Sequence, residues 1–291
     1  MAETPLTPTG NSGSEPPLYA PETGFSLFIK LFILPAGIVA VALGIFLLGT
    51  IALQHPKSAS QYLEELRSDS TSKRWQAAYE LSRMLAQGEK IQFDDHLRAQ
   101  LVQTYADSKK DDPRIREYLA LVLGHLKEKS AVEALSEGTK DESTDVKIYS
   151  LWALGNIEDP AGGEAAQAAM NDPDPGVQRM AVGAVSALRY APAKFPLEKN
   201  LGSSNEALKF DSAVALARLK DDAAVPVLME MLNMKSTGDA AHDEIIQSAK
   251  LAAIEASEEL VSPKLRAQVA VMAKNDPDLK VRDAAIQASK K

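Results

Sequence analysis

Residues 111–126 read DDPRIREYLALVLGHL. The turn-forming start, Asp-Asp-Pro, is followed by apolar residues at the first, fifth, eighth and ninth places counted from Ile115, which is one face of an α-helix. Apolar or small residues recur at the same places from positions 146, 177 and 208, each 31 residues after the preceding start. A fixed period of this length predicts stacked helical units, because one unit cannot bury such a face alone.

Outside these four repeats the pattern continues less regularly. The steps at the C-terminal end, from position 208 to 245 and from 245 to 281, measure 37 and 36 residues. The first unit is atypical, with Lys73 in place of an aliphatic residue, as is expected of a terminal repeat. We therefore predict an all-α solenoid of about seven helix pairs over residues 55–291.

The composition limits the partners of the chain. Its 291 residues carry a net charge of −8, which argues against nucleic acid as a partner because phosphate binding needs a basic face. There is no Cys, so disulfides and thiolate metal sites are excluded. Aromatic residues make up only 5% of the chain, so the core is built mainly from Ala, Leu, Val and Ile.

The N-terminal region predicts a membrane anchor. Residues 1–24 are rich in Pro, Gly, Ser and Thr, and we expect them to be disordered. A transmembrane helix is predicted over residues 25–54, because residues 31–53 contain no charged side chain and would span about 34 Å as a helix. The alternatives are a buried core helix and a cleaved signal peptide; the apolar run is long for the latter.

Small residues at Ala36, Ala40 and Gly44 lie four apart on the membrane segment. They predict a ridge on which another membrane helix can pack closely, although ordinary lipid-facing residues show the same spacing. More Lys and Arg follow the segment than precede it, which places the C-terminal domain in the cytoplasm. The expected location is therefore the lipid bilayer through residues 31–53, as a single-pass protein of a bacterial inner membrane.

Two stretches resemble a known family. Residues 276–285 read DPDLKVRDAA and residues 172–181 read DPDPGVQRMA; both are similar to HEAT repeats, and the 31-residue period resembles the short subtype of phycobilisome lyases. The resemblance implies a right-handed superhelix of antiparallel helix pairs, with the second helices lining a concave face. It also implies a ladder of charges between units, with Asp in the turns and basic rungs at Arg116, Lys147, Lys209 and Arg282; Gln178 interrupts it.

No catalytic pattern is present. The four His residues do not occur in His-Glu-x-x-His spacing, and none is followed by Glu as in HEAT-like deoxyhypusine hydroxylases. Phosphate-binding loops and Gly-x-Ser-x-Gly elbows are absent from the sequence as well. We therefore expect no catalytic residue, no cofactor and no metal site. The alternative is a HEAT-like enzyme or small-ligand binder, either bilin lyase-like or metal-dependent.

Aromatic residues predict a recognition surface. Tyr118 and Tyr149 occupy the same place in successive second helices, and Trp152 follows one turn later. Aromatic side chains dominate binding hot spots, so these three, with Lys147 and Arg179 as basic neighbours, are the predicted protein-binding face. The alternative is that they fill space between units.

Together these features predict a membrane-anchored, non-enzymatic scaffold. Its solenoid would bind a protein partner, either within a membrane complex or recruited to it from solution. An accessory or assembly subunit of a larger membrane complex fits this description.

Overall fold

The computed structural model of the chain describes residues 29–53, 57–89 and 91–290. They fall into two compact parts that divide between residues 56 and 57. The tail at residues 1–24, and residues 25–28 and 54 of the predicted membrane segment, lie outside the described residues.

The N-terminal part is one apolar helix. A π-helical turn, Ile29–Ile33, leads into α1, Leu34–Leu53. The window Leu31–Leu48 has a mean hydropathy of 2.8 and none of it is buried, which does not fit a buried core helix. A helix of this length and composition can cross a membrane, and the same features fit a signal sequence.

The C-terminal part consists of seven helix pairs, counted over residues 57–89 and 91–290, and these are units 1 to 7. Each unit contains a first and a second helix, and the first helices are short in the central units. The pairs are α2 Ala59–Leu66 with α3 Thr71–Ala86, α4 Asp95–Asp107 with α5 Pro113–His125, α6 Val132–Gly138 with α7 Thr144–Ile157, α8 Gly163–Ala169 with α9 Pro175–Ala187, α10 Lys194–Asn200 with α11 Glu206–Arg218, α12 Val225–Leu232 with α13 Ala240–Ser257, and α14 Pro263–Asn275 with α15 Leu279–Ala288.

The second helices form a continuous layer. Each of them, from α3 to α13, packs on the second helix of the next unit, whereas neighbouring first helices contact each other less. The buried side of this layer is the face that the 31-residue pattern predicts. Ile115, Val146 and Val177 are completely buried, and Leu208 is 7% exposed. Ala181, one turn after Val177, is also fully buried and allows neighbouring helices to approach closely.

Side-chain caps start the second helices. Asp112, Asp174 and Asp278 each accept hydrogen bonds from the first backbone N–H groups of the helix that follows, as the Asp-Pro and Asp-Asp turns predict. Ser143 and Asn205 have the same role in α7 and α11. Pro at the first helical position of α5 and α9 costs no backbone hydrogen bond.

The second helices of units 2 to 5 end in the left-handed conformation without glycine. Lys127, Glu158, Arg189 and Lys220 have φ values of 48°, 59°, 47° and 55°, and their numbers differ by 31 each time. At three of the four corners the next N–H bonds back to a carbonyl five residues earlier, for example Tyr190 N to Val185 O at 3.0 Å. This is the Schellman arrangement that ends helices.

Ion pairs link successive units. Arg74 bonds Asp111 at 2.5 Å, Arg116 pairs with Asp141, and Lys147 bonds Asp172 at 2.7 Å. In each pair the cation lies on one second helix and the carboxylate in the turn before the next. Burial opposes the ionisation of Asp172, but the Lys147 ammonium and the Asp174 N–H outweigh it and lower the pKa of that carboxyl. The predicted ladder is therefore present at Arg116 and Lys147.

The ladder loses both partners between units 4 and 5. Gln178, at the basic position, donates instead to the carbonyl oxygen of Asp172 in its own turn at 2.7 Å. Ser203 stands at the acidic position of the next turn, because its hydroxyl accepts from the N–H two residues on, as Asp172 does in unit 4. The interruption thus replaces two charges by two neutral groups and leaves no buried charge unpaired.

Three details of the predicted pattern need correction. Lys209 pairs with Glu230 on α12 at 2.6 Å rather than with a turn Asp, and Arg282 donates to the carbonyl of Asp276 at 3.3 Å. In unit 6 the rung is Lys250, which bonds Asp276 at 2.7 Å. The repeat of unit 6 therefore starts at position 249, not 245. The physical reason is that α13 has 18 residues and begins before the packed face; Ile245 is 59% exposed.

The buried rung at Lys250 should control how firmly unit 7 is attached. Its side chain is 9% exposed and that of Asp276 is 4% exposed, so Lys250→Met leaves an unpaired buried carboxylate and costs about 3 kcal/mol. Because solenoid stability is local, we expect amide hydrogen exchange in α14 and α15 to accelerate about 100-fold, measured by mass spectrometry on the full chain.

Lys140→Met is the matched control. Lys140 bonds Glu137 at 2.9 Å, but their side chains are 65% and 64% exposed, so we expect an effect below about 0.5 kcal/mol. Equal exchange rates in α14 and α15 for both variants would show that the buried rung does not hold unit 7.

Candidate protein-binding face

One side of the second helices in units 1 to 3 is aromatic. We call Trp75, Tyr79, Tyr118, Tyr149 and Trp152 the aromatic strip. Tyr79 is 39% exposed, and the other four are partly buried against the core of units 1 to 3. Their apolar surfaces are thus fixed in place while part of each ring still faces solvent.

Ring contacts run along the strip from unit to unit. The rings of Tyr79 and Tyr118 meet edge to face with centroids 5.2 Å apart. His125 and Trp152 make a second edge contact at 5.0 Å. Such pairs stabilise beyond the area that they bury. They join unit 1 to unit 2 through Tyr79 and Tyr118, and unit 2 to unit 3 through His125 and Trp152.

Gly124 provides the space for Trp152. A Cβ atom at position 124 would lie 2.6 Å from Cζ3 of Trp152 and 2.9 Å from Cα of Ala153. The absence of a side chain lets the indole lie directly on α5, and any larger residue would displace it.

Two carboxylates lie beside the rings. Glu117 and Asp145 form no ion pair with a residue in the described part of the chain, whereas Arg114 bonds Asp112 at 2.6 Å. Burial raises the pKa of Glu117, and the charges of Asp145 and Asp112 raise it further, against smaller effects of Arg114 and the Ser143 hydroxyl. The surroundings of Glu117 therefore disfavour its ionised form.

Two neighbouring titratable groups, Tyr149 and His125, are neutral at neutral pH. Burial, followed by the charges of Asp145 and Glu117, raises the pKa of Tyr149 above its ordinary value. Burial lowers the pKa of His125 below its ordinary value of 6.5. Around Tyr118 and Tyr149, carboxylates and the Arg114 guanidinium thus carry the formal charge.

The five residues predicted for protein binding do not all lie together. Tyr118, Tyr149 and Trp152 belong to the aromatic strip. The Lys147 side chain is 18% exposed and points between units to Asp172. Arg179 is 50% exposed on α9 and bonds Asp211 on α11 at 2.7 Å. A role for each of the five in recognition stays a prediction.

Sequence reasoning left Trp75, Tyr79, Glu117 and Asp145 out of the predicted face. A signal is available for Tyr79, because it lies six places after the start of its repeat at position 73, as Trp152 does after position 146. The carboxylates carried no signal of their own, because acidic residues on helices are usually solvated.

Beyond unit 3 the same side of the layer changes character. Met180 and Val214 are partly buried there, and Gly183 is exposed, with open space where a Cβ would lie. Tyr190 is not part of the surface; its ring fills the space over Gly163, where a Cβ would lie 2.1 Å from Cδ2 of the ring. The aromatic strip therefore ends at α7.

A groove of about 480 Å³ lies at the start of the strip and is lined by Trp75, Tyr79, Tyr62 and Lys57 among others. A second cleft, of about 410 Å³, lies between the first helices of units 2 and 3 and includes Tyr105, Arg116 and Glu133. Among the described residues, no group of three or more His, Asp or Glu could hold a metal ion.

Comparison with known proteins agrees with this architecture. The HEAT repeats family matches residues 164–249, from α8 into α13. The chain is similar to a chain in the structure of the complex of CpcE and CpcF of phycocyanin lyase from Nostoc sp. PCC7120. The TM-score is 0.53 and the identity 15%, and the match covers 81% of this chain and 96% of the other. It is also similar to YibA of Escherichia coli, with a TM-score of 0.50 and 17% identity over 80% and 92% of the two chains. No curated protein matches the sequence.

These findings support a HEAT-type repeat protein, and they confirm the predicted all-α solenoid. At 15% and 17% identity the two structures show the fold alone. A fold of this kind does not by itself specify a function.

Glu117→Gln should stabilise the protein at neutral pH. A carboxyl whose pKa is raised by folding stabilises the native state when protonated, and this contribution is lost as the pH rises through its folded pKa. Glu117 is partly exposed, so solvent limits the gain at pH 7 to a few tenths of a kcal/mol. We expect a higher Tm than wild type at pH 7 and equal values near pH 4, measured by circular dichroism.

The exposed Glu198 on α10 supplies the control, because Glu198→Gln makes the same charge change away from the strip. An equal rise in Tm for both variants would attribute the gain to net charge rather than to the position of Glu117.

Proposed function

We propose that this chain is a membrane-anchored, non-enzymatic scaffold that binds a protein partner through the aromatic strip. The observation that carries the proposal is an aromatic surface on the packed second helices of three units, with ring contacts that join unit 1 to unit 2 and unit 2 to unit 3. Rigid aromatic side chains lose little conformational freedom on binding and dominate hot spots. An accessory or assembly subunit of a larger membrane complex is the role that best unites such a surface with an apolar N-terminal helix.

The contacts under the strip support this assignment. Rungs at Arg74, Arg116 and Lys147 tie units 1 to 4 together, so the aromatic residues are held in a fixed arrangement. Surfaces that keep their shape before binding gain affinity because little has to be ordered. The charged pair between Arg179 and Asp211 lies farther along the layer and suits the polar rim of such an interface.

Partner capture tests the scaffold proposal. We expect crosslinking in mild detergent, followed by affinity capture and mass spectrometry, to recover a protein partner with the wild-type chain. Replacing Tyr118, Tyr149 and Trp152 by Leu keeps apolar packing but removes the aromatic rings, and should reduce recovery at least tenfold because hot-spot residues contribute about 2 kcal/mol or more each.

The control is Phe195→Leu, since Phe195 is 78% exposed on α10, away from the strip. It should leave recovery unchanged. A folded triple variant that still captures the partner would remove the strip from the interface. Stoichiometric iron or zinc in the purified protein would favour the enzyme alternative instead.

The anchoring proposal has its own test. If α1 spans a membrane, intact-mass analysis will find residues 31–53 in the mature protein, and alkaline carbonate will not extract it. Because the chain has no Cys, Phe195→Cys creates a single labelling site. With the C-terminal domain in the cytoplasm, an impermeant maleimide should label it only after the cells are opened.

A cleaved N-terminus would identify residues 31–48 as part of a signal sequence. Labelling of Phe195→Cys in intact cells, with an uncleaved anchor, would reverse the proposed orientation. The stripe at Ala36, Ala40 and Gly44 is proposed as the contact surface for another membrane helix.

A further inference from the structure

Building on the proposed function, we infer that the partner segment bound by the aromatic strip is extended and carries Lys or Arg side chains about three residues apart. The inference concerns the chemistry of the partner, and it rests on the charges and rings of units 1 to 3.

The protein itself already places a cation on the strip. The guanidinium carbon of Arg114 lies 4.5 Å from the centre of the Trp75 ring, which is a cation–π contact. The remaining rings belong to Tyr79, Tyr118, Tyr149 and Trp152, and the same attraction would act on cations of a partner. Aromatic faces at this surface are therefore suited to hold basic side chains.

The balance of charge beside the rings is negative. Around Tyr118 and Tyr149, Asp112, Glu117 and Asp145 supply three negative charges and Arg114 supplies one positive charge, so the sum is −2. In the groove beside Trp75 and Tyr79, Lys57 and Lys73 are balanced by Glu65 and Glu80. Only Asp112 uses its carboxylate in an ion pair with Arg114. Glu117 and Asp145 remain available to basic groups, whereas an acidic or phosphorylated segment would meet two like charges.

The cost of ionising Glu117 supports the same occupant. Burial and two neighbouring carboxylates oppose its charge in the free protein. A partner ammonium or guanidinium placed beside Glu117 and Asp145 would relieve this repulsion. A bound cation would therefore stabilise ionised Glu117 more than it would stabilise an ordinary solvated carboxylate.

The spacing follows from the layer of second helices. Packed helices lie about 8–10 Å apart, and an extended polyproline-type segment advances about 3.1 Å per residue. One step from α3 to α5, or from α5 to α7, therefore corresponds to about three residues of the partner. Basic residues at every third place can reach successive units on the same side of the segment.

Fluorescence anisotropy with labelled peptides tests the inference. The probe is a twelve-residue peptide of four Arg-Pro-Pro repeats, and the comparison is four Glu-Pro-Pro repeats, each titrated with the full chain in a non-ionic detergent. We expect the Arg peptide to bind at least tenfold more tightly than the Glu peptide, with affinity that falls as salt is added.

Two double variants locate the binding site. Glu117→Gln with Asp145→Asn preserves the shape of the side chains and should lower the affinity for the Arg peptide at least tenfold. Glu198→Gln with Asp222→Asn makes the same charge change at exposed residues of unit 5 and the start of unit 6, and should leave binding unchanged. Equal weakening by both double variants, or equal binding of the Glu peptide, overturns the inference.

The outcome also separates this inference from the proposed function. If the aromatic triple variant loses its captured partner but the wild-type chain does not bind the Arg peptide, the scaffold stands and the basic-segment inference fails. If capture does not depend on the strip and neither peptide binds, both fail. Self-association that disappears in the Glu117 and Asp145 double variant would identify a second copy as the occupant and also overturn the inference.

Discussion

Each helix pair leaves an apolar face that only the next pair can cover. That constraint makes stacking obligatory and brings the second helices into one layer. It also brings charged side chains between successive units, where a buried charge is tolerated only when it is paired. Two such pairs are almost completely buried, Arg116 with Asp141 and Lys250 with Asp276. Between units 4 and 5 both charges are absent, because Gln178 and Ser203 occupy the two positions. The exposed side of the layer is free of these demands, and there the side chains can serve another purpose.

The aromatic strip combines features that a fold alone would not favour. Partly exposed rings of Trp and Tyr offer solvent an apolar surface, and Glu117 is ionised at an energetic cost beside Asp145. Both features are located in units 1 to 3, whereas the same side of α9 presents Gly183 and Met180. Unfavourable features concentrated in one region of an otherwise repetitive layer are expected of a binding surface.

The regular repeats were predictable because period, burial and turn chemistry agree there. Positions 115, 146, 177 and 208 all lie in the buried face. The pattern misplaces unit 6 because α13 starts before its packed part, so its first large apolar residue, Ile245, is not the one that begins the buried face. Lys147 follows the buried Val146 by one residue, a rotation of about 100° on a helix, and that rotation directs it between units rather than toward the strip. No pattern in the sequence distinguishes Glu117 from other helical carboxylates, since its raised pKa arises from burial and from carboxylates that include Asp145 of the adjacent unit.

The left-handed corners at Lys127, Glu158, Arg189 and Lys220 make the central units interchangeable blocks. Cutting the chain at one corner and rejoining it at the next removes 31 residues and brings together two ends that already share one backbone conformation. After such an excision, the positions of the buried face, the helix caps and the ion pairs keep their regular spacing along the chain. Recombination between repeats can therefore shorten or lengthen this molecule without redesigning a helix, so the distance between its ends can evolve separately from the chemistry of units 1 to 3.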